Sequence, residues 1–107
     1  MQRILEGTTV CGGVITGNVR IVADTKDVVR VQDGDIVVLP CSHPQYAVGV
    51  MRGSGLICEE GGIISHICTV ALEMGIPCIT QAKGAIEVMK NHTRVTLNAD
   101  EGAVYGA

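Results

Sequence analysis

Residues 59–77 read EEGGIISHICTVALEMGIP. From Ser65 the apolar positions Ile67, Val70, Ala71 and Met74 fall at i, i+3, i+4 and i+7, the spacing of one buried helix face. Ser65 suits an N-cap, Gly75 suits the residue just past the helix end, and Pro77 stops any continuation. The stretch therefore predicts a helix that leaves a loop carrying Gly61 and Gly62. His66 stands in the first turn of that helix, where backbone N–H groups lack intrahelical partners and the dipole is positive. Glycines ahead of it can take positive φ and let a ligand approach the backbone. A phosphate suits such a place, and a neutral imidazole is a competent nucleophile. A histidine there also serves, more commonly, as a cap or as a polar group satisfied by a neighbouring carbonyl.

Outward from this stretch, GLICE (Gly55 to Glu59) predicts a short buried strand leading into the loop, and PCIT a strand after the helix. DIVVLP (Asp35 to Pro40) is a near-continuous apolar run closed by proline, as in a strand buried on both faces. SHPQYAVGVMRG (Ser42 to Gly53) predicts a helix capped by Ser42 or His43, with Val48 and Met51 three apart; Gly49 weakens it and Gly53 ends it. GGVITGNVRIVA (Gly12 to Ala23) predicts a turn at Gly17-Asn18 followed by a strand. Ala85 to Lys90 fits a short helix or a strand, and RVTLNADEGAVYGA fits a closing strand pair with a turn near Asp100–Gly102. Strand–helix–strand alternation of this kind gives an α/β, β/β/α domain of mixed sheet packed with short helices, one domain spanning residues 1–107.

Composition sets the limits. The chain has 107 residues, 47% of them apolar, with no Phe or Trp, so the core is built from Val, Ile, Leu, Met and Ala. A net charge of −3 and the shortage of aromatic platforms argue against nucleic acid or an anionic membrane surface as partner. No run suggests a signal peptide or a membrane span. The five cysteines include no CxxC pair, so the expected setting is a reducing cytoplasm with most thiols in the core. Cys41, His43 and His92 lack metal-ligand spacing, and no metal site is expected. Cys68, two residues after His66, falls on another helix face, which argues against a Cys–His nucleophile pair. Glu59 and Glu60 could steer a partner's cation such as Mg²⁺ or Lys, but a pair of this kind before a loop is more often plain solvated charge.

GGIISHICTVALEMGIPCIT resembles the signature of the phosphohistidine swivelling (mobile) domain of phosphoenolpyruvate-utilising enzymes, roughly G-G-x-x-[ST]-H-x-x-x-x-A-R-E-x-G-I-P. Pyruvate phosphate dikinase, phosphoenolpyruvate synthase and enzyme I of the sugar phosphotransferase system contain it. The glycine-rich segment from Cys11 to Val22, GDIVVLPCSHPQY, and RVTLNADEGAVYG are similar to the family's opening, middle and closing segments, so the likeness spans nearly the whole chain. It implies a swivelling β/β/α fold and a phosphotransferase (kinase-type) component, incomplete as an enzyme by itself. His66 would be the phosphoryl-accepting nucleophile, with Ser65 beside it and Gly61, Gly62 and Ser65 holding the phosphate; Glu73, Gly75, Ile76 and Pro77 would set the helix and its exit. It also implies partners: a nucleotide-binding or phosphoenolpyruvate/pyruvate-binding domain or subunit that carries Mg²⁺ and ATP or phosphoenolpyruvate, with no cofactor bound by this domain.

Two departures bear on that expectation. The family's arginine is Leu72, which removes a bidentate cation from the helix. Arg52, Lys83 and Arg94 are candidate substitutes, and a module that kept the fold but lost phosphotransfer, or a purely structural domain, is the alternative. Gln81 and Asn91 replace turn glycines, with local consequences only.

Overall fold

A computed structural model describes residues 2–106. Among these residues eight strands form one mixed sheet: β1 (Arg3–Glu6), β2 (Thr8–Cys11), β3 (Val14–Ile21), β4 (Asp35–Leu39), β5 (Gly55–Cys58), β6 (Cys78–Thr80), β7 (Arg94–Asn98) and β8 (Ala103–Gly106). Three short helices accompany them: α1 (Ala47–Arg52), α2 (His66–Met74) and α3 (Ala85–Met89); 3-10 turns cover Thr25–Arg30 and Pro44–Tyr46. The strand order is β1-β8-β7-β3-β4-β5-β6-β2. Strands β3 to β6 run parallel to one another, and every other pairing is antiparallel. The α/β expectation, mixed sheet with short helices, therefore holds.

Each face of the sheet buries its own core, which explains the uninterrupted apolar runs. Along β4, Val37 and Leu39 join one cluster with Ile67, Cys68 and Ala71 of α2, while Ile36 and Val38 join the other with Ala85 and Met89 of α3. Strand period two assigns alternate residues to opposite faces, so a strand covered on both sides must be apolar throughout.

The sheet's edges, β1 and β2, are consecutive stretches separated only by Gly7. The sheet must therefore curl until its edges meet along one bent strand. At the bend Gly7 N donates to the Gly102 carbonyl at 2.9 Å. A Cβ on Gly7 would lie 2.8 Å from the Thr80 carbonyl, and one on Gly102 (φ +70°) 2.5 Å from that of Gly7. No segment in the first eleven residues announces this closure, because it depends on backbone approach across the barrel rather than on local pattern.

Several expectations are corrected. Gly17-Asn18 does not turn the chain; both lie inside the eight-residue β3. Gly17 is needed there because a side chain would collide with the Gly34 carbonyl on the neighbouring strand's approach. The helix expected over Ser42–Gly53 is a 3-10 turn followed by α1, and its buried residues are Tyr46, Gly49 and Val50, with Val48 and Met51 exposed. Gly49 lets α1 approach the 25–30 turn, where an added Cβ would sit 3.3 Å from Val28. In α2 the buried face is Ile67, Cys68 and Ala71, and Met74 is exposed because the helix ends there and turns away at Gly75 (φ +69°). Residues 85–89 resolve as helix. Gln81 adopts φ +55°, which accounts for the glycine the family favours at that turn.

Candidate functional site

Strands β4 and β5 are parallel neighbours, so the segments leaving their carboxyl ends, 40–43 and 59–65, emerge side by side. The crevice beyond the carboxyl ends of parallel strands is where α/β sheets hold ligands. Loop 59–65 delivers the chain into α2, whose first residue is His66. The imidazole is exposed, and among the described residues it makes no hydrogen bond or ion pair. Beside it the loop projects Ile63 and Ile64, the latter 92% exposed.

The loop's shape is held from outside. Gly61 has φ +144°, a region closed to most side chains, and an added Cβ would meet Ser42, the Ser65 hydroxyl and the Cys58 sulfur at 3.4, 3.5 and 3.7 Å. Its carbonyl accepts a hydrogen bond from Thr80 Oγ1 at 2.8 Å. Gly62 differs: its φ is not in the left-handed region, and no atom crowds its Cβ position. The loop closes as Ser65 N donates to the Gly62 carbonyl at 3.0 Å. Glu59, expected to be plain solvated charge, is half-buried and accepts from Ile86 N at 3.0 Å, fastening the loop to α3.

Ser65 occupies the N-cap position with extended backbone (φ −64°, ψ 159°), but its side chain caps nothing. The Ser65 carbonyl takes Thr69 N and Thr69 Oγ1 at 2.9 and 3.0 Å, while its hydroxyl is buried on the Cys68 side. The capping is done instead by Ser42, whose Oγ accepts Ile67 N at 3.3 Å. His43 caps the adjacent 3-10 turn, its Nδ1 accepting Gln45 N at 3.1 Å. One of the N–H groups expected to be free at the start of α2 is thus already engaged by a neighbouring loop.

Beneath Ser65 lie three buried thiols, Cys58, Cys68 and Cys78. A hydrogen bond from Cys78 lowers Cys68 to about 6, against the opposing effect of burial. Donating that bond, together with burial, raises Cys78. Burial pushes Cys58 up to about 11. Cys68 faces the core while His66 faces outward, so the two are not a nucleophile pair. Of the candidate cations, Lys83 lines a hollow with Arg3 and Val88 on the α3 side, and Arg94 Nη1 donates to Asn18 Oδ1 at 3.3 Å. Arg52 ends α1, which packs beside α2. Leu72 is 56% exposed. Among the described residues, no group of three or more His, Cys, Asp or Glu side chains is placed to hold a metal, and no helix is long and apolar enough to cross a membrane.

Of the residues singled out by sequence, the fold brings Gly61, Ser65 and His66 together and gives Gly62 an open position. Ser42 and Thr80 were missed. A threonine in the apolar strand CIT signals a buried hydroxyl that needs a partner; Ser42 carries no signal for capping a helix more than twenty residues on.

A family model described as PEP-utilising enzyme, mobile domain, matches residues 31–102. The probable phosphoenolpyruvate synthase of Methanothermobacter thermautotrophicus is 32% identical over 102 residues, covering 95% of this chain and 15% of that protein. Phosphoenolpyruvate synthase of Pyrococcus furiosus is likewise 32% identical over 102 residues, covering 95% and 12%. The chain thus spans under a fifth of the length of the curated relatives it matches. Among solved structures, holo aconitase X of Thermococcus kodakaraensis superposes with a TM-score of 0.67 at 20% identity, covering 100% of this chain and 99% of that one, a likeness of fold alone.

Proposed function

Since the chain belongs to the mobile-domain family of PEP-utilising enzymes, we propose that it is a phosphohistidine carrier whose His66 takes a phosphoryl group from one partner site and yields it to another. The observation that carries this reading is an exposed, unengaged imidazole opening α2 behind the Gly61 loop, at the carboxyl ends of β4 and β5. An unprotonated ring nitrogen forms the P–N bond as the donor's P–O bond breaks, and the electron pair leaves on the donor oxygen. Such transfer needs positioning and charge stabilisation more than covalent help from the protein. Gly61 shapes the approach, Gly62 leaves space, and Ser65 lies beside the phosphoryl site. Mg²⁺ and ATP or phosphoenolpyruvate would be held by a nucleotide-binding or phosphoenolpyruvate-binding domain or subunit, in keeping with relatives far longer than this chain.

A second reading rests on Leu72: an exposed apolar residue stands where the family carries arginine, so the fold could persist as a binding or structural module without phosphotransfer. Incubation with phosphoenolpyruvate or ATP plus a cognate partner enzyme separates them. The carrier reading expects acid-labile, base-stable phosphate on the wild type and none on His66→Ala; no label on either, or equal label on both, sinks it. Leu72→Arg is expected to speed labelling, and an unchanged rate would show that the missing arginine is not limiting.

A further inference from the structure

Cys11 and Cys78 are Cα partners across the antiparallel pair β2–β6, just beyond a register shift between Thr9 and Cys11. Both side chains pack on the α2 side of the sheet: Cys78 is a buried member of that core, and Cys11 lies against it, partly exposed. Facing residues of antiparallel strands fall within the Cα span of about 4.4–6.8 Å that a disulfide bridges, and the irregularity after Thr9 brings Cys11 to face Cys78. One thiol of the pair is therefore open to solvent and the other is held opposite it by the ladder. We infer that Cys11 and Cys78 form a reversible redox pair, oxidised by a peroxide-class oxidant to a cross-strand disulfide that ties the edge strand β2 to β6.

The electrons and atoms balance. The Cys11 thiolate attacks a peroxide oxygen, the O–O bond breaks and hydroxide leaves, giving a sulfenic acid. Cys78 sulfur then attacks Cys11 Sγ, the S–O bond breaks, and a second hydroxide leaves. The hydroxides take up the two thiol protons, so two thiols and one peroxide become one disulfide and two waters. Cross-strand disulfides carry geometric strain and are readily reduced, which suits a reversible device rather than a structural staple. It also reconciles cysteines expected to remain reduced with a pair positioned to oxidise.

The test treats the reduced chain with hydrogen peroxide and maps the products by mass spectrometry after proteolysis. The expected result is a mass loss of two hydrogen atoms, a Cys11–Cys78 cross-linked peptide, and reversal by dithiothreitol. Rapidly titrating thiols should fall from two, Cys11 and Cys41, to one. Cys11→Ser, a change at a partly exposed position, should abolish the cross-link, and so should Cys78→Ala, with thermal melting to verify that each variant is folded. A persistent oxyacid on Cys11 without a cross-link, a bridge between other cysteines, or a bridge that survives in Cys11→Ser would overturn the inference.

Discussion

Thr80→Val tests whether the loop ahead of His66 is held from the next strand. Thr80 is buried in β6, and its hydroxyl donates to the Gly61 carbonyl at 2.8 Å. Valine keeps the shape and removes the donor, leaving a part-buried carbonyl unpaired. An unsatisfied buried acceptor costs roughly 1–3 kcal/mol. For a domain of this size each kcal/mol moves the melting midpoint by about 4–8 °C. The expected outcome is therefore a midpoint lowered by several degrees, read by thermal circular dichroism, with Thr80→Ser near wild type because it restores the donor. Labelling of His66, measured well below both midpoints, should also slow, since Gly61 no longer has its carbonyl fixed and the loop loses the geometry it presents to α2. A midpoint within about a degree of wild type would refute the reasoning: it would mean the Gly61 carbonyl is satisfied elsewhere and Thr80 is no clamp. A lowered midpoint with labelling unchanged would confine Thr80 to stability.

Three further outcomes rest on the glycine turns and the buried thiols. Gly102→Ala should be far more damaging than Gly34→Ala: both glycines have positive φ, but only Gly102 meets backbone, 2.5 Å from the Gly7 carbonyl, whereas Gly34 has open space. Left-handed strain alone costs about 1–2 kcal/mol, so urea midpoints should show that loss for Gly34→Ala and a markedly larger one for Gly102→Ala. A thiol-reactive dye under native reducing conditions should modify Cys11 and Cys41 quickly and Cys58, Cys68 and Cys78 only on unfolding, a split read by titration against denatured protein. Stability should decline as pH rises from 9 toward 11. Burial raises Cys58 from 9.0 to about 11, so the folded state keeps a proton that the unfolded chain releases. That contribution is fully present below pH 9 and disappears through 11, a change of up to about 2.7 kcal/mol. Cys78 and Tyr46, also raised, act in the same direction. Urea unfolding at the two pH values reads the change, and Cys58→Ala should reduce it while the share from Cys78 and Tyr46 remains; a flat wild-type curve would contradict the burial argument.

How much was legible varied with the range of the interaction. The 59–77 stretch announced α2 and its Gly75 exit, because caps and helix periodicity act within a few residues. The buried strands β4 and β5 were equally plain, since burial on both faces demands an unbroken apolar run. Gly17 was misread as a turn because glycine marks both chain reversal and close backbone approach, and only the position of Gly34 distinguishes them. Met74 was misassigned because spacing describes a helix face but not where the helix leaves the core. At the site, His66, Ser65 and Gly61 were visible from their order. That Ser42 rather than Ser65 caps α2, and that Thr80 and Glu59 fasten the loop, was not.

The amino-acid order alone therefore determined α2, the buried strands β4 and β5, the family likeness and a histidine at a helix start, since each depends on neighbours in the chain. The closure of the sheet through Gly7 and Gly102, the pairing of Cys11 with Cys78, and the clamps on the Gly61 loop were decided only by the tertiary structure. Those contacts join residues between 19 and about 95 positions apart, and which groups meet is settled when strands pair and two cores pack, not by any short segment.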